Sequence, residues 1–206
     1  FFFFFYFFAE NKRTVVVFDF DGTLTTKDTL LEFIKFSCGT RKFYFVFLLY
    51  IPLLVLMKLR LYPNWKCKQK VFARFFKGMK ISEFSKLGKD FAKEIEKIRK
   101  ESMIAELSRL RKEGASIYVV SASIDEWVRP FCTQLGVLDV ISTKVEIDSF
   151  GYLTGRFITL NCYGQEKVKR LLEIEPDRKE YILVAYGDSR GDKELLEFAD
   201  HGILIK

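Results

Sequence analysis

Residues Val15, Val16, Val17 and Phe18 form an apolar, β-branched run with no polar alternation, and it ends abruptly at Asp19. A strand that faces solvent on one side alternates. One that does not must be covered on both faces, which is the signature of a parallel sheet between two layers of helices. Two more segments have this character, Ile117 to Val120 and Tyr181 to Ala185, and each stops at a cluster of small and polar residues. Between these runs the apolar spacing is helical, in Ser102–Lys112, Asp125–Leu135, Gln165–Leu172 and Lys193–Phe198, and Ile203–Ile205 opens a last strand. Strand alternating with helix predicts an α/β fold: a Rossmann-like parallel sheet with helices on both faces.

One interval does not fit a simple alternation. From Asp28 to about Arg99 the chain is helical in pattern, with no convincing strand. Some seventy residues are too many for a loop, so an inserted all-helical lobe is expected. The predicted division is a catalytic core of 12–27 and 99–206, a helical cap of 28–98, and an N-terminal extension of 1–11. Asp28 is placed to cap the first cap helix and Ser82 a later one. Val140–Ile147 and Tyr152–Ile158 flank Asp148-Ser149-Phe150-Gly151 and read as a β-hairpin. With 206 residues, 49% of them hydrophobic, the chain can fill one such core and one lobe.

The extension is unusual, since residues 1–8 are all Phe or Tyr. A secretory signal carries its positive charge before the apolar run, whereas here Lys12 and Arg13 follow it. Cys38, Cys67, Cys132 and Cys162 are scattered without a CxxC pair, which suits a reduced cytoplasmic protein better than a disulfide framework or a zinc site.

In folds of this type ligands bind beyond the carboxyl ends of the strands. Here the first strand delivers Asp19 and Asp21, the second Ser121, and the third Asp188 and Asp192, while Lys167 opens the intervening helix. If the strand stays extended, Asp19 and Asp21 point to the same side. Two carboxylates in one small space need a cation, and Mg²⁺ is the hard, oxygen-seeking choice. Ser121 and Lys167 offer a hydroxyl and an ammonium to the oxygens of a transferring phosphoryl group. Taken singly, each has an ordinary explanation: a solvated turn, a helix cap at Asp192, a helix-entry serine, a surface lysine.

Together they form a recognisable set. DFDGTL at 19–24, VVSAS at 119–123, Lys167 and GDSRGD at 187–192 resemble the four motifs of the haloacid dehalogenase superfamily. The segments SIDEWVRPF (123–131), VISTKVEIDSFGYLTGR (140–156) and NCYGQEKVKRL (161–171) are similar to its phosphoserine-phosphatase-like branch, whose helical cap is inserted after the first motif. The resemblance implies a Mg²⁺-dependent phosphatase. In it Asp19 is the nucleophile that becomes an aspartyl-phosphate, and Asp21 is the general acid and then base. Mg²⁺ would be held by Asp19, the backbone carbonyl of Asp21 and Asp188, with Asp192 behind them. Ser121 and Lys167 would bind phosphate.

The cap should choose the substrate. Phe43 to Met57 passes without a charge, about 22 Å as helix, short of the ~30 Å hydrocarbon core and interrupted by Pro52. Eight basic and no acidic residues follow between Lys58 and Lys80, and they carry most of the chain's net charge of +7. Two readings stand: a buried helix of the cap core, or a helix in the membrane interface with 43–80 against anionic headgroups. The layout also resembles the bacterial phosphatidylglycerophosphatases of the branch, which makes a phosphorylated lipid headgroup the leading substrate and phosphoserine the runner-up. For phosphoserine, Asp28 lies near the amine-recognising position, but no Arg for the carboxylate is evident apart from Arg60.

Other classes fail on residues. None of the four cysteines is followed six positions on by Arg, His201 is the only histidine, and no GxxxxGK[ST] loop occurs. Asp21 disfavours a dehalogenase. A membrane-surface binder without activity is the non-enzymatic alternative, and nucleic-acid binding through Lys58–Lys80 is a weaker one.

Overall fold

The computed structural model describes residues 12–206. The expected aromatic extension therefore lies outside the described residues. Five strands form one parallel sheet in the order β3-β2-β1-β6-β7: β1 Arg13–Phe18, β2 Ser116–Ile124, β3 Asp139–Thr143, β6 Tyr181–Gly187 and β7 His201–Leu204. Central β1 is buried on both faces, as its composition requires. Val16 and Phe18 pack with helices α5 (Glu101–Lys112) and α6 (Asp125–Gln134) on one side. Val15 and Val17 pack with α7 (Gln165–Ile174) and α8 (Lys193–Phe198) on the other. The chain builds β2 and β3 on one flank of β1 and then crosses to β6 and β7 on the other, so the carboxyl end of β1 is the switch point of the sheet.

Between β1 and α5 four α-helices form the insert: α1 Thr29–Cys38, α2 Thr40–Lys58, α3 Asn64–Phe76 and α4 Ile81–Glu94, closed by a 3₁₀ turn at Ile95–Ile98. The segments entering and leaving this insert run side by side, with Thr26 N–H donating to Ile98 O and Lys100 N–H to Leu24 O. Phenylalanines fill its interior. Phe33 meets Phe76, Phe84 and Phe91, and stacks on Trp127 of α6 at 4.4 Å between ring centres. Gly88 of α4 lies so close to α6 that a Cβ there would stand 2.5 Å from the Glu126 carbonyl oxygen. Insert and sheet layer are thus packed, not merely tethered.

Three expectations change. Val140–Ile147 is not one hairpin strand. Asp139–Thr143 joins the parallel sheet beside β2, the chain breaks at exposed Lys144, and only β4 (Val145–Ile147) pairs with β5 (Leu153–Phe157). That hairpin leans on the helical insert: Phe157 packs on Phe72, and Gly78 and Ile81 donate to Leu153 O and Gly151 O. The same contacts set the start of α4, which begins at Ile81 with Ser82 inside its first turn, making no side-chain cap. Asp28, by contrast, does cap α1, accepting from Leu31 N–H at 3.1 Å. Finally, α2 is not a buried core helix. Phe43 and Val46 are its only buried residues, while Tyr44, Phe45, Leu48, Leu49, Ile51, Val55 and Leu56 are exposed.

Candidate active site

The chain coils directly after Asp19. Leu24 and Thr25 N–H both donate to Phe20 O, and Gly22 takes φ +83°. A Cβ at Gly22 would stand 2.0 Å from an Asp188 carboxylate oxygen, so glycine serves both the left-handed turn and the approach of β6's polar end. The Asp21 carboxylate lines the same cavity as that of Asp19 and its charge adds to the rise of the Asp19 carboxyl, but it is not among the carboxylates that gather most tightly there.

What converges with Asp19 is Asp188 and Asp192: one carboxylate oxygen from each of the three lies within 4.8 Å of the other two. Asp188 follows β6 directly. Asp192 is fully buried at the end of a turn in which Ser189 and Asp192 cap each other. Lys167, in the first turn of α7 and 2% exposed, reaches both Asp19 and Asp192 at 2.5 Å. Three carboxylates therefore face one ammonium. Burial pushes the Asp19 carboxyl up to about 7 despite Lys167, and the nearby Asp192 charge adds to the rise. Asp188 is raised as well, by burial and then by Asp192. Lys167 is driven up by the carboxylates on either side, which outweigh its loss of water. A cluster that over-supplies negative oxygens at this spacing fits a hard divalent cation, Mg²⁺ foremost.

Asp21 is held by its own set of donors. Thr29 gives Oδ1 both its N–H (2.9 Å) and its hydroxyl (2.6 Å), and Ser123 donates its hydroxyl to Oδ2. Trp127 Nε1 donates in turn to Thr29 Oγ1 at 3.0 Å. Burial, and next the charge of Asp28, lift Asp21 to about 6, while these hydrogen bonds pull the other way. Ser121 lies behind the wall. It is 1% exposed, and its Oγ accepts from Ser123 N–H at 2.9 Å.

All of this opens into a cavity of about 570 Å³, roomy enough for a phosphate ester with a substantial organic part. The sheet side is polar: Asp19, Asp21, Lys167, Asp188 and Asp192. The insert side is largely apolar, with Leu30, Leu31, Phe47, Leu54, Met57 and Val71. Sequence reasoning gathered Asp19, Lys167, Asp188 and Asp192 correctly into one place. It missed Thr29, Ser123, Lys68 and Asn161. Asn161 lines the cavity with a buried Oδ1 that has no hydrogen-bond partner among the described residues. Thr29 and Ser123 lay within segments already singled out, but nothing in their spacing marks them as partners of Asp21.

Comparison with known proteins identifies the family. Protein CicA of Caulobacter vibrioides is 34% identical over 188 residues, spanning 90% of this chain and 83% of that protein. Among solved structures, a Bordetella pertussis protein of unknown function superposes with a TM-score of 0.78 at 17% identity, covering 92% of this chain and 88% of that one. A substrate-bound phosphoserine phosphatase does so with a TM-score of 0.64 at 20% identity, covering 92% and 84%. These two likenesses show the fold. The sequence profile of the haloacid dehalogenase-like hydrolases matches residues 16–197, from β1 to the last helix. The chain belongs to the haloacid dehalogenase-like hydrolase family.

Proposed function

We propose that the protein is a Mg²⁺-dependent phosphatase that hydrolyses a phosphate monoester through an aspartyl-phosphate on Asp19. The observation that carries this reading is the convergence of Asp19, Asp188 and Asp192 beside Lys167, at the open end of the central strand. Asp19, Asp188 and the backbone carbonyl of Asp21 would hold the ion, with Asp192 behind them. When bound, it would supply the positive charge that lets an anionic nucleophile approach an anionic phosphate.

In the first step an Asp19 carboxylate oxygen forms a bond to phosphorus as the bond to the alcohol oxygen breaks. Asp21, with a carboxyl near 6, gives its proton to the departing alkoxide. Asp21 then takes a proton from water, whose oxygen attacks phosphorus and frees Asp19 and inorganic phosphate. Lys167, already on Asp19, would balance charge on the phosphoryl oxygens, and Ser121, near the end of β2, would add a hydroxyl to them.

The helical insert would select the substrate, acting as the cap. A phosphorylated lipid headgroup such as phosphatidylglycerophosphate is favoured by α2, whose Phe47, Leu54 and Met57 wall the cavity while its other side is exposed and apolar. Arg41, Lys42, Lys58, Arg60 and Lys66, all exposed, lie at or just beyond the ends of α2 in the sequence, which suits the anionic inner surface of a membrane. The compartment would then be cytoplasmic, with peripheral attachment. All four cysteines are free, three of them buried.

The test uses p-nitrophenyl phosphate with Mg²⁺. Wild type should turn over, and Asp19→Asn should lose at least about 10³-fold in kcat, because no nucleophile remains. Equal turnover by the variant rejects the mechanism. A panel of phosphomonoesters, lipid phosphates in detergent beside phosphoserine, then decides the substrate class. Turnover confined to amino-acid phosphates rejects the lipid assignment.

A further inference from the structure

Of the eight basic residues between Lys58 and Lys80, only Lys68 lines the cavity. The helical repeat explains why. Asn64, Cys67, Lys68 and Val71 follow the i, i+3, i+4, i+7 pattern of one face of α3, and all four line the cavity. Lys68 Nζ donates to the main-chain carbonyl of Ala122, at the polar end of β2, and Thr143 Oγ1 donates to that same carbonyl. The ammonium thus crosses from the insert to the sheet edge.

Its charge is unanswered. Lys167 has carboxylates on two sides, but no carboxylate of the described residues is within ion-pair distance of Lys68. One of its three N–H groups is used on a neutral acceptor, which leaves two for something else. Loss of water holds its pKa below the ordinary lysine value, against the pull of the carboxylates nearby. Among those the Asp28 charge acts on it most strongly, then Asp21, and Asp19 less. Lys68 lines the cavity together with Asp21 and Asp28, where the departing alcohol would lie. An ammonium drawn out of water without an anion is costly, and a ligand that brings one is correspondingly favoured.

We propose that Lys68 is a specificity residue: it binds a second anionic group carried by the alcohol part of the substrate. This rests on the phosphatase reading and narrows it. The preferred phosphomonoesters carry a further negative charge, a phosphodiester or a carboxylate, a few bonds from the scissile phosphate. The two sources share the chemistry of an oxyanion able to accept two N–H bonds. An apolar tail, if present, would continue along Leu54 and Met57.

The experiment compares kcat/KM for glycerol 3-phosphate with two relatives of matched size. One is 3-phosphoglycerate, with a carboxylate; the other is a short-chain glycerophosphodiester ending in a phosphomonoester. Wild type should prefer at least one doubly anionic compound by about 10- to 100-fold, the range of a charge-assisted contact in a shielded site. Which one wins identifies the anion. Lys68→Gln should collapse that ratio, mainly through KM, and Lys68→Arg should restore part of it. Lys86→Gln, exposed on α4, should keep the wild-type ratio. A wild-type ratio near one overturns the proposal, as does a Lys68→Gln variant that slows every substrate equally. Absence of any turnover, p-nitrophenyl phosphate included, overturns the phosphatase reading instead and removes the ground of this one.

Discussion

Asp21 shows how much a single carboxylate depends on its neighbours. It is buried and lifted to about 6, yet three donors from Thr29 and Ser123 hold both of its oxygens. A group that must alternately release and accept a proton gains from a fixed orientation, because the transfer needs a hydrogen-bonding approach to the leaving oxygen. Ser123→Ala removes the donor on Oδ2 and leaves the rest of the site in place. The expected result is a fall in kcat of about 10-fold with little change in KM, and substantial recovery in Ser123→Thr. An equal loss in kcat and stability without recovery by Thr would assign Ser123 a purely structural role.

At the scale of elements, the seam between α4 and α6 is the tightest joint between the insert and the sheet layer. Gly88 permits it, and Phe33 stacked on Trp127 fills it. Glu126 is the polar residue caught there. Its Oε2 is buried without a hydrogen-bond partner among the described residues. Burial, with the neighbouring Asp125 charge, raises its carboxyl from the ordinary 4.5 to about 7. Between those two values the folded protein keeps a proton that the unfolded chain has released. Stability therefore falls as pH rises through this window. Glu126→Gln removes that slope. Thermal unfolding from pH 5 to 8 should find the variant close to wild type at the acid end and more stable by about 1–2 kcal/mol at the alkaline end. Parallel curves would show that Glu126 is solvated after all.

For the whole molecule, the open question is what covers α2. Nineteen residues give it a length of about 28 Å, close to a bilayer's apolar thickness. One side of it, however, walls the cavity, and Pro52 lies within it. A helix committed to a protein site along one side would, at a membrane, lie in the interface rather than across it. Vesicle pelleting should show binding to phosphatidylglycerol-containing vesicles that weakens with salt, and much weaker binding to pure phosphatidylcholine. The double substitution Leu48→Glu, Leu49→Glu should reduce it by at least about 10-fold while p-nitrophenyl phosphate turnover persists. Binding untouched by that change would place the contact elsewhere. Loss of a dimer in the same variant would make a second copy the partner.

The fold class, the succession of strands and helices, the lobe after β1 and the grouping of Asp19, Lys167, Asp188 and Asp192 were all legible in the residues. Each is written in local periodicity or in polar residues at strand ends, and a parallel sheet can bring those ends together in only one way. Other features depend on contacts between distant segments. Asp21 follows a coil after Phe20, and Thr29 and Ser123, 94 residues apart, closed on it. The hairpin set where α4 begins and where β3 ends. Lys68 differs from the seven basic residues around it only by which side of α3 meets the cavity. Local sequence fixes how a segment repeats, but its facing partner is chosen by packing, and the chemistry of Asp21 and Lys68 comes from those partners.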